Sequence, residues 1–236
     1  MFKGVDRILV VRTDKIGDVL LTTPAIAALR RQFPAARIVG MVSEVAADVY
    51  RSNPHLNDVI VLDPAEYLGF GGLIRLMGRI RREKFQIAVT FQTGFRVALA
   101  LRFGGIPYRI GPLSKWWSWL VFNLGRRQIR SAVEMHEADY NIQLLRDFGI
   151  SVIHTREKTH LKVDGECRTK AEDTFRKLGI QRRFRTVALH PGMAGSALNW
   201  PETHYIALGR RLLQRYNVLV TGGPGEQALV DRVVQG

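Results

Sequence analysis

Residues 8–24, ILVVRTDKIGDVLLTTP, decide the fold. The apolar run Ile8 to Val11 reads as a strand buried on both faces. It stops at Arg12-Thr13-Asp14-Lys15, where four polar residues break the hydrophobic pattern, and Gly17-Asp18 then opens a helical one. A buried strand that ends in a polar, Gly-containing turn and feeds a helix is the first half of a βαβ unit. In open α/β sheets ligands sit beyond the carboxyl ends of such strands, which places Asp18 where chemistry is expected. A second reading of Asp18 stays open here: a carboxylate in the first helical turn, serving the helix dipole and free N–H groups.

Downstream, the same rhythm continues. Thr23 is expected to cap a helix with Pro24 at its first position, and Ile26, Leu29 and Phe33 form its apolar face. Strands follow at Arg37–Val42, Asp58–Leu62, Gln86–Phe91 and Tyr108–Ile110. Between them lie helices at Glu44–Arg51, Leu73–Glu83 and Arg96–Phe103. Strands alternating with helices at this spacing indicate a parallel sheet with helices on both faces.

Residues 112–130 break the rhythm, gathering Trp116, Trp117 and Trp119 ahead of Arg126, Arg127 and Arg130. Two readings fit: an interfacial patch with arginines on lipid phosphates, or a loop whose tryptophans fold back onto the core. A helix over Glu134–Phe148 ends at Gly149, and residues 150–164 read as an interdomain linker. Glu166–Leu178 is helical and ends at Gly179. The strand Thr186–Leu189, helix Pro201–Tyr216, strand Val218–Thr221 and helix Glu226–Val234 form a second α/β run. The expected domains are therefore 1–160 and 161–236. Two strands are too few for an independent sheet, so the second domain is expected to be incomplete.

Composition narrows the function. The 236 residues are 46% hydrophobic, enough to build a core, and nothing approaches 18 consecutive apolar residues. The opening MFKGVDR is too charged for the apolar part of a signal peptide. Cys167 is the single cysteine, which excludes intrachain disulfides and cysteine-rich metal sites and fits a cytosolic protein. Thirty-five Lys+Arg against 21 Asp+Glu give a formal charge of +14. Such a balance points to acidic partners: nucleic acid, anionic lipid or phosphorylated substrates.

The turn 190–200, HPGMAGSALNW, is the second candidate site. Gly192 and Gly195 allow close backbone approach, Ser196 adds a hydroxyl donor, and the helix near Pro201 offers free N–H groups to an anion. It lacks the Gly-Lys-Ser/Thr ending of a P-loop and the dinucleotide GxGxxG. Gly222-Gly223-Pro224-Gly225-Glu226 closes the next strand similarly, and Glu226 either accepts from a ribose or caps the helix. His136, His190 and His204 are isolated and read as structural. No GxSxG elbow, HExxH or cysteine pair occurs, so the residues support neither a metal nor a covalent nucleophile.

Two stretches carry a family resemblance. VRTDKIGDVLLTTPAIAALRRQFPAARI resembles the opening of the heptosyltransferases, glycosyltransferase family 9. VALHPGMAGSALNWPETHYIALGRRL, followed by NVLVTGGPGEQ, resembles the start of that family's donor domain. The resemblance implies two facing Rossmann-like domains of GT-B type, the second incomplete in this chain. It implies an inverting, metal-independent transfer of heptose from ADP-heptose to the lipopolysaccharide core, with no cofactor. The expected location is cytoplasmic, peripheral at the inner-membrane face, with the Trp/Arg segment as membrane contact. Asp18 matches the family's general base. The turn at Gly192, Gly195 and Ser196, with Asn199, matches the donor phosphate-binding turn, and Glu226 matches a glutamate at the donor's nucleoside end.

Two departures qualify the resemblance. The lysine expected two residues before Trp200-Pro201 is Leu198, and the later Asp-Gly-x-x-His segment is absent from the chain. The chain as it stands is therefore expected to bind donor poorly and not to turn over alone. The competing readings are a non-catalytic binder of nucleotide or anionic glycolipid, which Leu198 favours, and a nucleic-acid binder. The latter rests on charge only and lacks a recognised basic–aromatic module, so nucleic acid is not expected as a partner.

Overall fold

The computed structural model describes residues 2, 4–63, 67, 69–132, 134–150, 159–181, 183–193, 199–223 and 225–236. The described chain separates into two compact units, Met1–Val163 and Asp164–Gly236.

The first unit is built on six parallel strands: β1 (Arg7–Arg12), β2 (Arg37–Ser43), β3 (Asp58–Leu62), β4 (Ile87–Gln92), β5 (Tyr108–Pro112) and β6 (Leu124–Arg126). Their order across the sheet is β3-β2-β1-β4-β5-β6. The apolar run of β1 is buried on both sides, as a central parallel strand must be. Ile8 and Val10 join one core with Ile26 and Leu29 of α2 (Thr23–Gln32), Tyr50 of α3 (Ala47–Arg51) and Leu144. Leu9 and Val11 join the opposite core with Leu76 and Ile80 of α4 (Gly69–Glu83) and Leu101 of α5 (Phe95–Phe103).

Local physics moved several expected boundaries. The helix cap falls on Thr22, and Thr23 is already the first helical residue. The Thr23 hydroxyl instead donates to the Leu20 carbonyl, and Thr22 shares a hydrogen bond of 2.9 Å with the Tyr50 hydroxyl. The segment 44–51 divides into a 3-10 turn, Glu44–Ala46, and α3. Two more helices precede the unit's end: α6 (Ser118–Val121) and α7 (Glu137–Arg146). The latter starts three residues later than its hydrophobic pattern suggests, because His136 is its cap and accepts from the Ala138 N–H. Gly149 ends it in the left-handed region, at φ +75°. The sixth strand has three residues and no apolar run, so periodicity does not reveal it.

The fold-back reading of residues 112–130 holds for one of the three tryptophans. Trp117 is buried against Val121 and Phe122, whereas Trp116 and Trp119 are exposed.

The second unit holds a parallel pair, β7 (Thr186–Leu189) and β8 (Asn217–Val220), with α8 (Gly165–Lys177), α9 (Glu202–Leu212) and α10 (Gln227–Gln235). Among its described residues only Leu189 and Val233 belong to the buried hydrophobic set.

Packing around β2 gives a stability test. A β-carbon on Gly40 would press into the Tyr50 ring and Leu56, whereas one on Gly78, within α4, would meet nothing. Gly40→Ala should cost about 1–3 kcal/mol through overpacking. Gly78→Ala should gain about 0.5–1 kcal/mol from helix propensity. Denaturant midpoints of the two variants should therefore move in opposite directions.

Candidate functional site

Strand order reverses between β1 and β4, making a topological switch point at their carboxyl ends. There Thr13 donates its N–H to the Gln92 carbonyl, and the Thr13 and Thr93 hydroxyls lie 3.0 Å apart. The pairing register shifts between Val11 and Arg12, and the strand delivers Arg12 into the interior.

The Arg12 side chain is only 4% exposed and gathers three carboxylates. Its Nε lies 2.6 Å from Asp14, one terminal nitrogen lies 2.9 Å from Glu137, and the other lies 3.3 Å from Asp18. Asp18 sits in the first turn of α1 (Ile16–Leu20), with its side chain 36% exposed against 30% for Asp14 and 23% for Glu137. Glu137, at the start of α7, is shared with Arg130. Arg130 also donates to Gln128 and Asn141, and Asn141 donates to the Leu21 carbonyl behind α1.

Protonation follows from this burial. Desolvation opposes the charge on Arg12, but the hydrogen bonds and charges of Asp14 and Glu137 more than offset it, so its pKa rises. Burial holds the Asp14 carboxyl above the ordinary carboxylate range; Arg12 offsets this in part and the Asp18 charge adds to it. Burial, with Arg12 nearby, lowers Arg130 despite Glu137.

Beside the cluster, a cavity of ≈ 470 Å³ opens at the ends of β4 and β5. Thr90, Thr93, Lys115, Trp117, Arg127 and Arg130 are among its lining residues. The Thr90 hydroxyl is buried without a hydrogen-bond partner among the described residues. The cavity thus offers an aromatic wall and three cations, a set suited to an anionic ligand. Arg130 belongs to both the cavity and the carboxylate cluster.

In the second unit, Gly192 and Glu226 come together. The Glu226 carboxylate lies where a β-carbon on residue 192 would be, so only glycine admits it. Glu226 occupies the cap position of α10 without capping it, and accepts from the Gly223 N–H at 2.7 Å. Asn199 acts as a strut. Its amide donates to the Pro191 carbonyl, and its oxygen accepts from the Tyr205 hydroxyl at 2.8 Å. Gly195, Ser196 and Leu198 lie outside the described residues. His190 is held structurally, its Nδ1 3.0 Å from the Thr221 hydroxyl.

Sequence reasoning placed Asp18 at the sheet's carboxyl edge but missed Arg12, Glu137 and Arg130 as its companions. The available signal was a charged residue at the last position of a fully apolar strand, which has to find a partner once buried.

Comparison with known proteins agrees with this architecture. Residues 73–236 match the family model described as glycosyltransferase family 9 (heptosyltransferase). That segment contains the 190–200 turn and Glu226, and begins after Asp18. A Haemophilus influenzae protein provisionally named a glycosyltransferase is 27% identical over 231 residues, covering 94% of this chain and 65% of the relative. The chain thus spans just under two thirds of that relative's length. The structure of a family 9 glycosyl transferase from Veillonella parvula superposes with a TM-score of 0.83 at 23% identity, covering 100% of this chain and 68% of the other. E. coli ADP-heptose LPS heptosyltransferase II superposes with a TM-score of 0.79 at 21% identity, covering 97% and 68%. At these identities the two structures establish the fold.

The cluster yields two expectations. Arg12→Ala leaves carboxylates facing one another without their buried cation and should cost about 3–5 kcal/mol at neutral pH, read by denaturant unfolding. Asp14 carries a pH signature. Native Asp14 holds its proton more tightly than an unfolded aspartate, so its ionisation weakens the fold as pH rises through the raised value. Asp14→Asn removes that titration. Its stability relative to wild type should therefore increase between the acid range and neutrality.

Proposed function

This chain belongs to glycosyltransferase family 9, the heptosyltransferases, and from that premise we propose that it serves a transfer of heptose from ADP-heptose to the lipopolysaccharide inner core. The reading is supported most by one observation: a partly exposed carboxylate, Asp18, is fixed at the switch point by a buried arginine. The E. coli structural relative named for ADP-heptose and LPS supports the donor and acceptor classes.

In the proposed reaction an acceptor hydroxyl attacks the anomeric carbon as Asp18 removes its proton. The bond from that carbon to the diphosphate oxygen breaks, and ADP leaves with the electron pair, inverting the centre. General-base assistance of this kind is worth about 10²–10⁴-fold. The cavity beside the cluster holds the anionic acceptor, with Lys115, Arg127 and Arg130 facing its charge. Gly192, Gly195 and Ser196 supply backbone and hydroxyl donors to the diphosphate, where negative charge grows as the bond breaks. Asn199 ties the Pro191 carbonyl to the Tyr205 hydroxyl beside that turn, and the Glu226 oxygen not engaged by Gly223 is available to the nucleoside. The acceptor's lipid anchor places the reaction at the cytoplasmic face of the inner membrane.

Leu198, where the family carries lysine, favours a second reading: a non-catalytic binder of nucleotide or anionic glycolipid. One experiment separates the two. Heptose transfer from ADP-heptose to a Kdo-terminated acceptor is measured in a form spanning the full length of the relatives, wild type beside Asp18→Asn. The enzyme reading expects a loss of about 10²–10⁴-fold in kcat with donor affinity retained. Donor binding without turnover in wild type would leave only the binding protein; turnover unchanged by Asp18→Asn would keep the enzyme and remove Asp18 as its base.

A further inference from the structure

A second cavity, of ≈ 450 Å³, is bounded by the end of the edge strand β3 and by helix α4. It shares no lining residue with the cavity beside the Arg12 cluster. Helix periodicity explains how α4 lines it. Leu76 and Ile80 turn into the core with Leu62 of β3. Arg75, Arg79 and Arg82 follow one another at spacings of four and three, so they share one stripe of the helix, and all three line the cavity. Gly78 lies among them. A β-carbon there would meet nothing within 4 Å, so the space above this part of the helix is open. Tyr67, half-buried, lines the cavity from the segment between β3 and α4.

The charges of this cavity call for an anion. Three arginines and one carboxylate, Asp63, are among its lining residues. Other carboxylates of this edge are already committed: Asp58 lies 2.8 Å from Arg37, and Glu83 is held by Arg37 and Arg7. Arg82 has no ion-pair partner among the described residues. Like charges three and four residues apart on a helix repel, and a bound anion removes that penalty. Arg75 and Arg82 are seven residues apart, about 10 Å along the helix axis. That spread exceeds one phosphate and suits two, each met by the planar fork of an arginine. The volume is that of a small-molecule site.

We propose that the cavity between α4 and β3 binds a small ligand carrying two phosphate groups, held by Arg75, Arg79 and Arg82. The site uses no residue assigned above to donor, acceptor or base. Its occupancy and the proposed transfer therefore stand or fall separately.

The test is isothermal titration with inorganic pyrophosphate and, separately, with fructose 1,6-bisphosphate. Wild type should bind, and more weakly as salt rises. Arg79→Gln/Arg82→Gln should weaken binding about ten-fold, the loss expected of charge-assisted hydrogen bonds. Arg81→Gln/Lys84→Gln removes the same charge close by, at positions that do not line the cavity, and should change affinity less than about two-fold. Gly78→Leu keeps every charge and favours the helix, yet should weaken binding by filling the space. Circular dichroism identifies any variant that fails to fold, and the remaining variants then decide. Tighter binding of pyrophosphate assigns the site to a free inorganic anion, and tighter binding of the bisphosphate to a sugar ester; either upholds it. The proposal is overturned if neither probe binds wild type, or if the two double variants weaken binding equally. Binding that neither Arg79→Gln/Arg82→Gln nor Gly78→Leu weakens would also overturn it, because the anion would then sit elsewhere.

Discussion

A guanidinium buried at the end of the central strand is the constraint from which the site follows. Desolvating such an ion costs several kcal/mol unless geometry and hydrogen bonds compensate. Arg12 meets that demand with carboxylates from three places: Asp14 on its own turn, Asp18 on α1 and Glu137 on α7. An arginine suits this role because its planar fork presents donors in several directions at once, where a lysine ammonium is a compact point charge. Glu137 lies 125 residues further along the chain, so this one cation couples the turn after β1 to a helix beyond β6. Arg130, drawn in by the same glutamate, extends the network to the wall of the neighbouring cavity.

The arrangement separates two tasks among chemically similar groups. Asp14 and Glu137 are the less exposed carboxylates and anchor the arginine, while Asp18 keeps its side chain more open. In the proposed transfer the base must reach substrate yet hold a fixed direction, and the pairing of Asp18 with buried Arg12 is the feature that suits it to this role. The glycine turns of the second unit have their own logic. Glu226 can fold onto the Gly223 N–H only because residue 192 has no side chain. Gly192 and the Gly223 N–H therefore act together in placing the Glu226 carboxylate.

Much of the fold was legible because buried parallel strands are near-continuous apolar runs. Ile8–Val11 and Asp58–Leu62 could be read in this way, as could the glycine that ends α7 in a left-handed conformation. The sixth strand was not, since Leu124-Gly125-Arg126 is too short to show a period. Side-chain capping by a threonine does not occur here: Thr22 stands at the cap position without capping, and the Thr22 and Thr23 hydroxyls donate to the Val19 and Leu20 carbonyls. Of the tryptophan segment, Trp117 folds back onto the core as one reading expected, while Trp116 and Trp119 remain outside it. Asp18 could be singled out from local pattern, but the Arg12 cluster could not. Its members are brought together by topology, and no local spacing encodes a pairing between residues 12 and 137.

The central claim is that Asp18, aimed by Arg12, takes the acceptor's proton. Its most direct test is a crystal structure with ADP and a Kdo-containing acceptor analogue bound. The account predicts an Asp18 carboxylate oxygen within about 2.6–3.2 Å of the acceptor hydroxyl, with Arg12 still paired to Asp18. An acceptor held away from this cluster, or an Asp18 turned from the hydroxyl with another base in its place, would contradict it.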